Sequence, residues 1–448
     1  MKDNHEVSRD PASFRDPASR VYANGEVVVR EIAASYIPEY DHLMQSGLYR
    51  ELVEEGMLIP HREAKRNDHS ITIIPERVPF ISYPYEWTFG QLQEAALVTL
   101  MINRIAMKHG MMLKDASAYN MQMVHDRMCL IDTCSFMDYQ PGMPWGPYAQ
   151  FLRHFVCPML LVKHFNPYTA LKLLQTNIDG IPVPLVARLM PFSTRFNGGM
   201  WAHIFSQSLK FAVDPKRSVT MNQMVLIALL NNLQKFVGSL TYKPPAGDFL
   251  QYAELGSYSR ESLEDKKIIV QQFIALVKDT SFLDLGSNTG DYSRMAAAAG
   301  KQVIAIDSDH DCILDLYEAN GKAILPLVVD IVQPSPGIGW ANRERASFSD
   351  RVGKVDCIMA LAIIHHLCLK NNIPLDMVAD LLKDHARSLI IEWVPPEDKK
   401  AQLLLGQKKV PAYDHLTFIS VFSNHFIIQK AFQIPGSDRI IYLMEGMK

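Results

Sequence analysis

Residues 282–290 read FLDLGSNTG, an apolar strand that reaches an acid at Asp284 and then turns through Gly286 and Gly290. A helix is predicted directly after this turn, over residues 292–299. Glycines at these two positions let the backbone approach a bound nucleoside ligand where a β-carbon would collide or force a disallowed φ. The stretch therefore predicts the first strand and the ligand-binding turn of a doubly wound α/β domain.

Buried strands and helices continue to alternate after this turn. The predicted strands cover residues 281–285, 302–306, 323–329, 355–361 and 388–394. Parallel neighbours in a sheet need a crossover connection, usually a helix, so this alternation predicts a parallel sheet. We expect a doubly wound, Rossmann-like α/β domain over residues 247–448.

Acids end three successive strands of the predicted sheet: Asp284, Asp307 and Asp330. At the carboxyl edge of such a sheet, Asp307 is placed to accept hydrogen bonds from both ribose hydroxyls, and Asp330 from an adenine amine. Dinucleotide-binding turns instead use a GxGxxG pattern, which places pyrophosphate at a helix N-terminus. Here the turn is DxGxxxG, and Asp284 would repel pyrophosphate but suits the cationic amino group of S-adenosylmethionine. That molecule is the predicted cofactor, and a dehydrogenase is the least favoured alternative.

Several motifs carry a resemblance to known proteins. Asp284 to Gly290, Asp307, Asp330 and the fourth-strand segment 356–367 (DCIMALAIIHHL) resemble the ordered motifs of class I S-adenosylmethionine-dependent methyltransferases. More narrowly, the chain resembles a bacterial group that includes the NoeA-type nodulation proteins. The stretches with this narrower resemblance are 325–340 (LPLVVDIVQPSPGIGW), 389–395 (LIIEWVP) and 113–120 (LKDASAYN).

The resemblance implies a seven-stranded sheet whose antiparallel last pair is formed by residues 426–432 and 439–445. Asn288 stands where turns of this class often have glycine. The cofactor is expected to contact residues at the ends of the first four strands. These residues are Asp284, Gly286, Ser287, Asn288, Gly290, Asp307, Ser308, Asp330, Ile331, Ala360 and Leu361.

Methyl transfer from a sulfonium is a direct displacement, so the protein must align the nucleophile and needs a base only if that nucleophile starts protonated. His365 and His366 follow the fourth strand and are the candidate bases, since a neutral imidazole can take a proton near pH 7. A structural role, in which either histidine caps a helix or packs against the cofactor, stays open. Glu392, at the end of the fifth strand, is a further catalytic candidate for orienting the substrate.

The N-terminal region, residues 1–136, mixes strands and helices. Asn24-Gly25 between apolar runs predicts a hairpin, and Met44, Leu48 and Leu52 share one face of a predicted helix. Short strands are expected over residues 71–74 and 80–83, and a long helix over 89–109. Residues 137–246 are predicted to be mainly helical, and Pro244-Pro245 marks the linker to the C-terminal domain.

A second constellation lies in the N-terminal region. Asp115 and Asn120, followed by Asp132 after an apolar run, have the order of the catalytic loop and metal-binding strand of kinase-like folds. In such a fold Asp115 would be the base, and Asn120 with Asp132 would hold magnesium. Arg30 stands where a kinase would have lysine, and no glycine-rich phosphate loop is present. Either a bifunctional kinase and methyltransferase or a kinase-like domain that only binds substrate or partner fits this pattern.

The overall composition and charge do not indicate a class of binding partner. The 448-residue chain has 45 basic and 48 acidic residues, a net charge of −3 that gives no general attraction to nucleic acid or to an acidic membrane, although a local basic patch could be hidden in it. Its six scattered cysteines predict reduced thiols, with no metal site.

The polar start and the short apolar runs predict a cytoplasmic protein without a membrane span. We expect a methyltransferase for a small-molecule or saccharide acceptor, with the N-terminal domain selecting that acceptor. A non-catalytic protein that binds an adenosine ligand is the rival from another class. The oligomeric state stays open.

Overall fold

The structure is a computed structural model of the chain. It describes residues 8–23, 27–124, 126–210, 220–245, 258–319, 323–406, 410 and 412–447. The chain forms two compact units. The first consists of Met1–Lys243 and Pro336–Ser347, and the second of Pro244–Ser335 and Phe348–Lys448. The predicted turn at Asn24-Gly25 lies outside the described residues.

The first unit begins with a five-stranded antiparallel sheet. Its strands are β1 (Ser8–Arg9), β2 (Ser19–Ala23), β3 (Val28–Ala33), β4 (His61–Arg66) and β5 (Ser70–Pro75). Their order across the sheet is β1-β2-β3-β5-β4. Two helices, α1 (Ile37–Gln45) and α2 (Leu48–Glu54), connect β3 to β4.

Two local predictions for this region are wrong. The helix expected through Met44, Leu48 and Leu52 is broken at Gly47, whose φ of +86° belongs to the left-handed region and cannot continue a helix. Residues 80–83 form no strand. There the amide side chain of Gln122 pairs with the backbone of Ser82, accepting from its N–H at 2.9 Å and donating to its carbonyl at 2.9 Å. At Ser82, the backbone groups that a neighbouring strand would satisfy are thus satisfied by one side chain.

The predicted long helix is confirmed as α3 (Phe89–Lys108). Thr88 begins it with a capping box, because its hydroxyl accepts from the Gln91 N–H and the Gln91 side chain accepts from the Thr88 N–H. Gly110, with a φ of +76°, follows its end. Four short strands come next: β6 (Met111–Leu113), β7 (Met121–Val124), β8 (Arg127–Leu130) and β9 (Phe136–Asp138). β6 pairs with β9, and β7 with β8.

The rest of the first unit is helical, as predicted. Its α-helices are α4 (Tyr148–Phe151), α5 (Cys157–His164), α6 (Pro167–Thr176), α7 (Val183–Leu189), α8 (Gly198–Met200), α9 (Ser206–Lys210) and α10 (Gln223–Ser239). Two π-helical turns, Leu152–Val156 and Trp201–Phe205, and a 3-10 helix, Phe192–Phe196, lie between them. In the described part of the chain, no helix is long and apolar enough to cross a bilayer.

The second unit is built on a seven-stranded sheet. Its strands are β10 (Ser281–Leu285), β11 (Gln302–Asp307), β12 (Ile324–Val328), β13 (Val355–Ala360), β14 (Ala386–Trp393), β15 (Phe426–Gln433) and β16 (Ile440–Gly446). The order is β12-β11-β10-β13-β14-β16-β15. β16 is antiparallel to both neighbours and the other pairs are parallel. The predicted strands and the antiparallel last pair are confirmed, with ends shifted by one or two residues.

Helices cover this sheet. They are α11 (Arg260–Leu276), α12 (Asp291–Ala298), α13 (His310–Glu318), α14 (Phe348–Val352), α15 (Leu375–His385), α16 (Lys399–Leu405) and α17 (His415–Ser423). The central strand β10 lies between β11 and β13, and its side chains are almost all buried. This architecture is a doubly wound, Rossmann-like α/β fold. The chain's six cysteines are free and buried, as predicted.

Candidate functional site

The glycine turn after β10 is held against the next strand. The N–H groups of Gly286 and Ser287 both donate to the carbonyl of Ile306, at 2.9 and 3.0 Å. Gly286 has a φ of +70°, and a β-carbon there would lie 2.8 Å from Cδ1 of Ile363. At Gly290, with a φ of +82°, a β-carbon would overlap Leu316. Both glycines are therefore required by backbone conformation and by the lack of space.

Asn288 also has a positive φ, of +52°. Asparagine tolerates this region better than most residues do, which explains how it can replace the glycine found in many turns of this class. Its N–H donates to a carboxylate oxygen of Asp307 at 2.9 Å. The turn after β10 is thereby tied to the acid at the end of β11.

Asp284 is a buried acid beneath the turn. Its carboxylate accepts a hydrogen bond from the Ser293 hydroxyl at 2.5 Å. Burial, with a smaller contribution from the negative charge of Asp307, raises the pKa of Asp284 to about 7. The Ser293 hydrogen bond and the cation of Lys266 act in the opposite direction. Near pH 7 this carboxyl group is therefore poised to ionise when a cation is placed beside it.

Asp307 and Asp330 complete a row of acids on three neighbouring strands. One carboxylate oxygen of Asp307 accepts from the Asp309 N–H at 2.9 Å, and the other accepts from the Asn288 N–H. Burial raises the pKa of Asp307, and its backbone hydrogen bonds partly offset that rise. Asp330 follows β12 and accepts from the Val332 N–H at 2.9 Å. Because β10, β11 and β12 are parallel neighbours, the three acids lie along one edge of the sheet.

The remaining predicted cofactor residues fall on the same edge. Ser287 is buried, and its hydroxyl has no hydrogen-bond partner among the described residues. Ser308 is exposed after β11, and Ile331 is half-buried after β12. Ala360 ends β13 and Leu361 follows it, both buried. A buried hydroxyl without a partner is costly, so Ser287 fits a ligand that supplies one.

The two histidines after β13 are held in their neutral form. His365 is buried, and neither of its ring nitrogens has a hydrogen-bond partner in the described structure. Burial, with smaller contributions from His366 and Arg439, lowers the pKa of His365 to about 3. Burial, with Lys370 and Lys400, lowers the pKa of His366 to about 4. The rings lie 4.4 Å apart, where a π-helical turn, His366–Lys370, begins. Such turns occur frequently at functional sites.

Glu392, in contrast, is completely enclosed in an ion cluster. Lys266 donates to one carboxylate oxygen at 2.7 Å, and Arg439 donates to the other at 3.1 Å, where the Tyr258 hydroxyl also binds. Asp398 accepts from Nε of Arg439 at 2.9 Å. Burial alone would raise the pKa of Glu392, but Lys266 and Arg439 hold it below its usual value. Both oxygens of this predicted catalytic residue are thus already engaged by the protein.

Sequence reasoning missed Lys266, Arg439 and Tyr258. A signal for Lys266 exists, because it lies on the apolar face of α11, one turn before Val270 and two before Phe273. A lysine at a core-facing position indicates a buried anionic partner. The sequence carries no comparable signal for which anion that is.

The residues of the predicted kinase-like site lie close together within the first unit. Arg30 pairs with Asp132, whose other oxygen accepts from the Ser135 hydroxyl at 2.6 Å. Asn120 donates to the same hydroxyl at 3.3 Å. Asp115 accepts from the Ser117 N–H and from the Gln150 amide, at 2.9 and 2.8 Å. Burial and the charge of Asp132 raise the pKa of Asp115. Over the described residues, no group of three or more histidine, cysteine or acidic side chains could hold a metal ion.

The segment after β12 leaves the second unit. Residues from Pro336 to Ser347 belong to the first unit, where the buried carboxylate of Glu344 pairs with Arg15. The guanidinium of Arg345 lies 4.4 Å from the centre of the Tyr119 ring. Arginine and aromatic contacts thus fix this excursion within the first unit.

Comparison with known proteins gives one extensive match in sequence. The nodulation protein NoeA of Rhizobium meliloti (strain 1021) is 30% identical over 460 residues, which cover 98% of this chain and 96% of NoeA. No protein-family model matches the chain.

Among solved structures, the N-methyltransferase NodS from Bradyrhizobium japonicum WM9 is 14% identical, with 41% of this chain and 98% of NodS covered and a TM-score of 0.31. The magnesium protoporphyrin IX methyltransferase ChlM from Synechocystis PCC 6803, with bound SAH, is 17% identical, with 46% and 90% covered and a TM-score of 0.30. The bifunctional kinase-methyltransferase WbdD is 18% identical, with 44% and 41% covered and a TM-score of 0.31. Scores of this size do not by themselves establish a function.

Proposed function

This chain belongs to the NoeA family of nodulation proteins, and from that premise we propose that its second unit is an S-adenosylmethionine-dependent methyltransferase. One observation carries the proposal: Asp284, Asp307 and Asp330 follow one another along the carboxyl edge of three adjacent parallel strands. Ligands of doubly wound folds bind at this edge. A row of acids beside a tight glycine turn suits a cationic adenosine ligand and opposes a pyrophosphate.

The residues present fit S-adenosylmethionine. Asp284 would hold the amino group, because a cation beside it removes the cost of ionising a buried carboxyl. Asp307 would accept from the ribose hydroxyls and Asp330 from the adenine amine. The unpartnered Ser287 hydroxyl would hydrogen-bond the ligand near the turn. When bound, the sulfonium supplies an activated methyl group.

The protein's share of the reaction is to hold the acceptor in line and to receive its proton. His365 supports this role because it is neutral and both of its ring nitrogens are without a hydrogen-bond partner in the described structure. With a pKa near 3 it is a weak base, so we assign it first to orienting the acceptor through a hydrogen bond. His366 is the second candidate, and Glu392 supports the site from its buried ion cluster.

A small-molecule or saccharide acceptor is favoured. A buried imidazole can orient one hydroxyl or amine, and it needs an acceptor small enough to reach it. The first unit would then select that acceptor. Acceptor selection by the first unit and cofactor binding by the second are consistent with a chain of two compact units, of which the second contains the row of acids.

Changing His365 should separate alignment from cofactor binding. We expect His365→Phe to reduce methyl transfer on the order of a hundredfold, because the ring nitrogens that orient the acceptor are removed. His365→Asn, which keeps a hydrogen-bond acceptor, should recover part of the rate. The measurement is transfer of tritiated methyl from S-adenosylmethionine to a small-molecule extract of the source cells. Affinity for S-adenosylhomocysteine should stay within about twofold. Unchanged transfer by His365→Phe would rule out this role.

A second candidate function, supported by the first unit, is a kinase-like nucleotide site. The antiparallel strand order β1-β2-β3-β5-β4, with helices between β3 and β4, is accompanied by Arg30 paired with Asp132 and by Asp115 and Asn120 nearby. This grouping matches the kinase order of motifs. With Asp132 already occupied by Arg30, we favour a domain that binds substrate or nucleotide without phosphoryl transfer.

Calorimetry on the intact chain tests both candidates. We expect S-adenosylmethionine and S-adenosylhomocysteine to bind, and NAD not to bind because Asp284 opposes its pyrophosphate. Failure of both sulfur ligands to bind would end the methyltransferase proposal. Binding of ATP with magnesium would support the kinase-like site around Asp132. Binding of the sulfur ligands without transfer to any fraction of the extract would favour an adenosine-ligand sensor.

A further inference from the structure

The helical half of the first unit exposes a set of large apolar side chains. Phe196 is 81% exposed and Phe192 69% exposed, and four further members are also exposed. We call this set the aromatic face, and its members are Leu185, Leu189, Phe192, Phe196, Trp201 and Leu209. Single exposed apolar residues are common in soluble proteins, but an exposed cluster usually marks an interaction site.

Ring and guanidinium contacts connect the aromatic members of this face. The rings of Phe192 and Phe196 lie 5.8 Å apart, and the guanidinium of Arg195 lies over the Phe192 ring at 5.4 Å. Arg195 also lies 5.8 Å from the ring of Phe205, which in turn is 5.8 Å from the Trp201 ring. Helix α7, which carries Leu185 and Leu189, packs against the π-helical turn that carries Trp201. Phe192, Phe196 and Trp201 are therefore connected through Arg195 and Phe205, and the three exposed leucines lie on helices that pack against the same π-helical turn.

The stretch of sequence that contains this surface is rich in cationic residues. Residues 139–245 contain ten lysines and arginines but only two acids, whereas the whole chain has more acids than bases. The ten are Arg153, Lys163, Lys172, Arg188, Arg195, Lys210, Lys216, Arg217, Lys235 and Lys243, and the two acids are Asp179 and Asp214. Arg188 and Arg195 are exposed within the aromatic face itself. Arg188 and Arg195 thus give this surface exposed positive charge, which the net charge of −3 of the whole chain conceals.

We propose that the aromatic face binds the surface of an anionic lipid bilayer. Aromatic and leucine side chains enter the interface between headgroups and acyl chains, and lysine and arginine beside them gain from anionic headgroups. The charge makes a second copy of the chain an unfavourable occupant, since two cationic faces would meet. Nucleic acid would match the cations, but exposed aliphatic side chains such as Leu185, Leu189 and Leu209 favour acyl chains over bases.

Vesicle flotation of the intact chain tests this proposal. The protein should float with vesicles of phosphatidylcholine mixed with phosphatidylglycerol, bind vesicles of phosphatidylcholine alone much less, and lose binding as salt is raised. The double variant Phe192→Ser with Phe196→Ser should bind roughly tenfold less or weaker still, because two large apolar side chains are removed. Arg188→Glu with Arg195→Glu should lose binding by roughly tenfold as well.

Matched controls use exposed positions in the second unit. Leu416, 80% exposed on α17, and Lys383, exposed on α15, give the variants Leu416→Ser and Lys383→Glu. Both should float like the native chain, and circular dichroism checks that every variant folds. Equal binding to neutral vesicles, or no binding at all, would overturn the proposal. So would self-association or binding to single-stranded nucleic acid that is lost in the phenylalanine variant while vesicles fail to bind.

Discussion

Replacing Asp307 by alanine is expected to weaken binding of both S-adenosylmethionine and S-adenosylhomocysteine by roughly a hundredfold. The carboxylate is placed to accept from both ribose hydroxyls, and each hydrogen bond to a charged group contributes about 1.5 to 3 kcal/mol. The same carboxylate also holds the N–H groups of Asn288 and Asp309. Its removal therefore loosens the glycine turn as well as deleting the ligand contact. Calorimetric titration of the variant measures the loss.

A matched control separates this effect from a general loss of acidic charge. Asp315 is exposed on α13, one element further along the chain, and Asp315→Ala should bind both ligands like the native protein. Asp307→Asn keeps one acceptor oxygen, so its affinity should fall between those of the native chain and the alanine variant. If Asp307→Ala binds as tightly as the control, Asp307 does not contact the ribose and the adenosine site must be placed elsewhere.

The sequence was sufficient to predict the parallel sheet of the second unit, because the patterns that indicate its strands are local. An apolar run in the sequence indicates each buried strand, and Asp284, Asp307 and Asp330 each follow such a run. Once the strands are parallel neighbours, their carboxyl ends must share one edge. The grouping of these three acids therefore follows from the alternation of strands and helices, without any knowledge of side-chain packing.

The predictions that were wrong or missing concern contacts between residues that are distant in the sequence, which local patterns do not reveal. Residues 80–83 have the composition of a strand, but Gln122, forty positions away, satisfies the backbone of Ser82. Lys266 and Arg439 lie 126 and 47 positions from Glu392, and no periodic pattern connects them. The excursion at Pro336–Ser347 into the first unit likewise depends on the pairing of Glu344 with Arg15. Tertiary contacts of this kind override local propensity.

The second large effect that we expect is a loss of stability when Glu392 is replaced. Glu392→Leu should destabilise the second unit by about 3 to 5 kcal/mol, because it leaves the buried Lys266 without its carboxylate and Arg439 with Asp398 alone. Lys266→Met should cost a similar amount by leaving the cluster with an excess of negative charge. In the double variant, Arg439 and Asp398 still balance each other at 2.9 Å, so the loss should be smaller than the sum of the two single losses.

Urea unfolding, with amide hydrogen exchange in peptides from β14 and α11, measures these changes in the second unit. The exposed pair of Lys267 and Glu264 on the same helix is the control, and Glu264→Ala should change stability by less than about 1 kcal/mol.

The pH dependence of this stability follows from the lowered pKa of Glu392, which Lys266 and Arg439 maintain against the effect of burial. A depressed folded pKa means that the stability from Glu392 is fully present above its usual pKa of 4.5 and is lost as the pH falls through the lower folded value. Glu392→Leu should remove that part of the acid-induced loss. If the variant instead keeps its stability and loses only methyl transfer, Glu392 acts on the substrate, as its position at the end of the fifth strand first suggested.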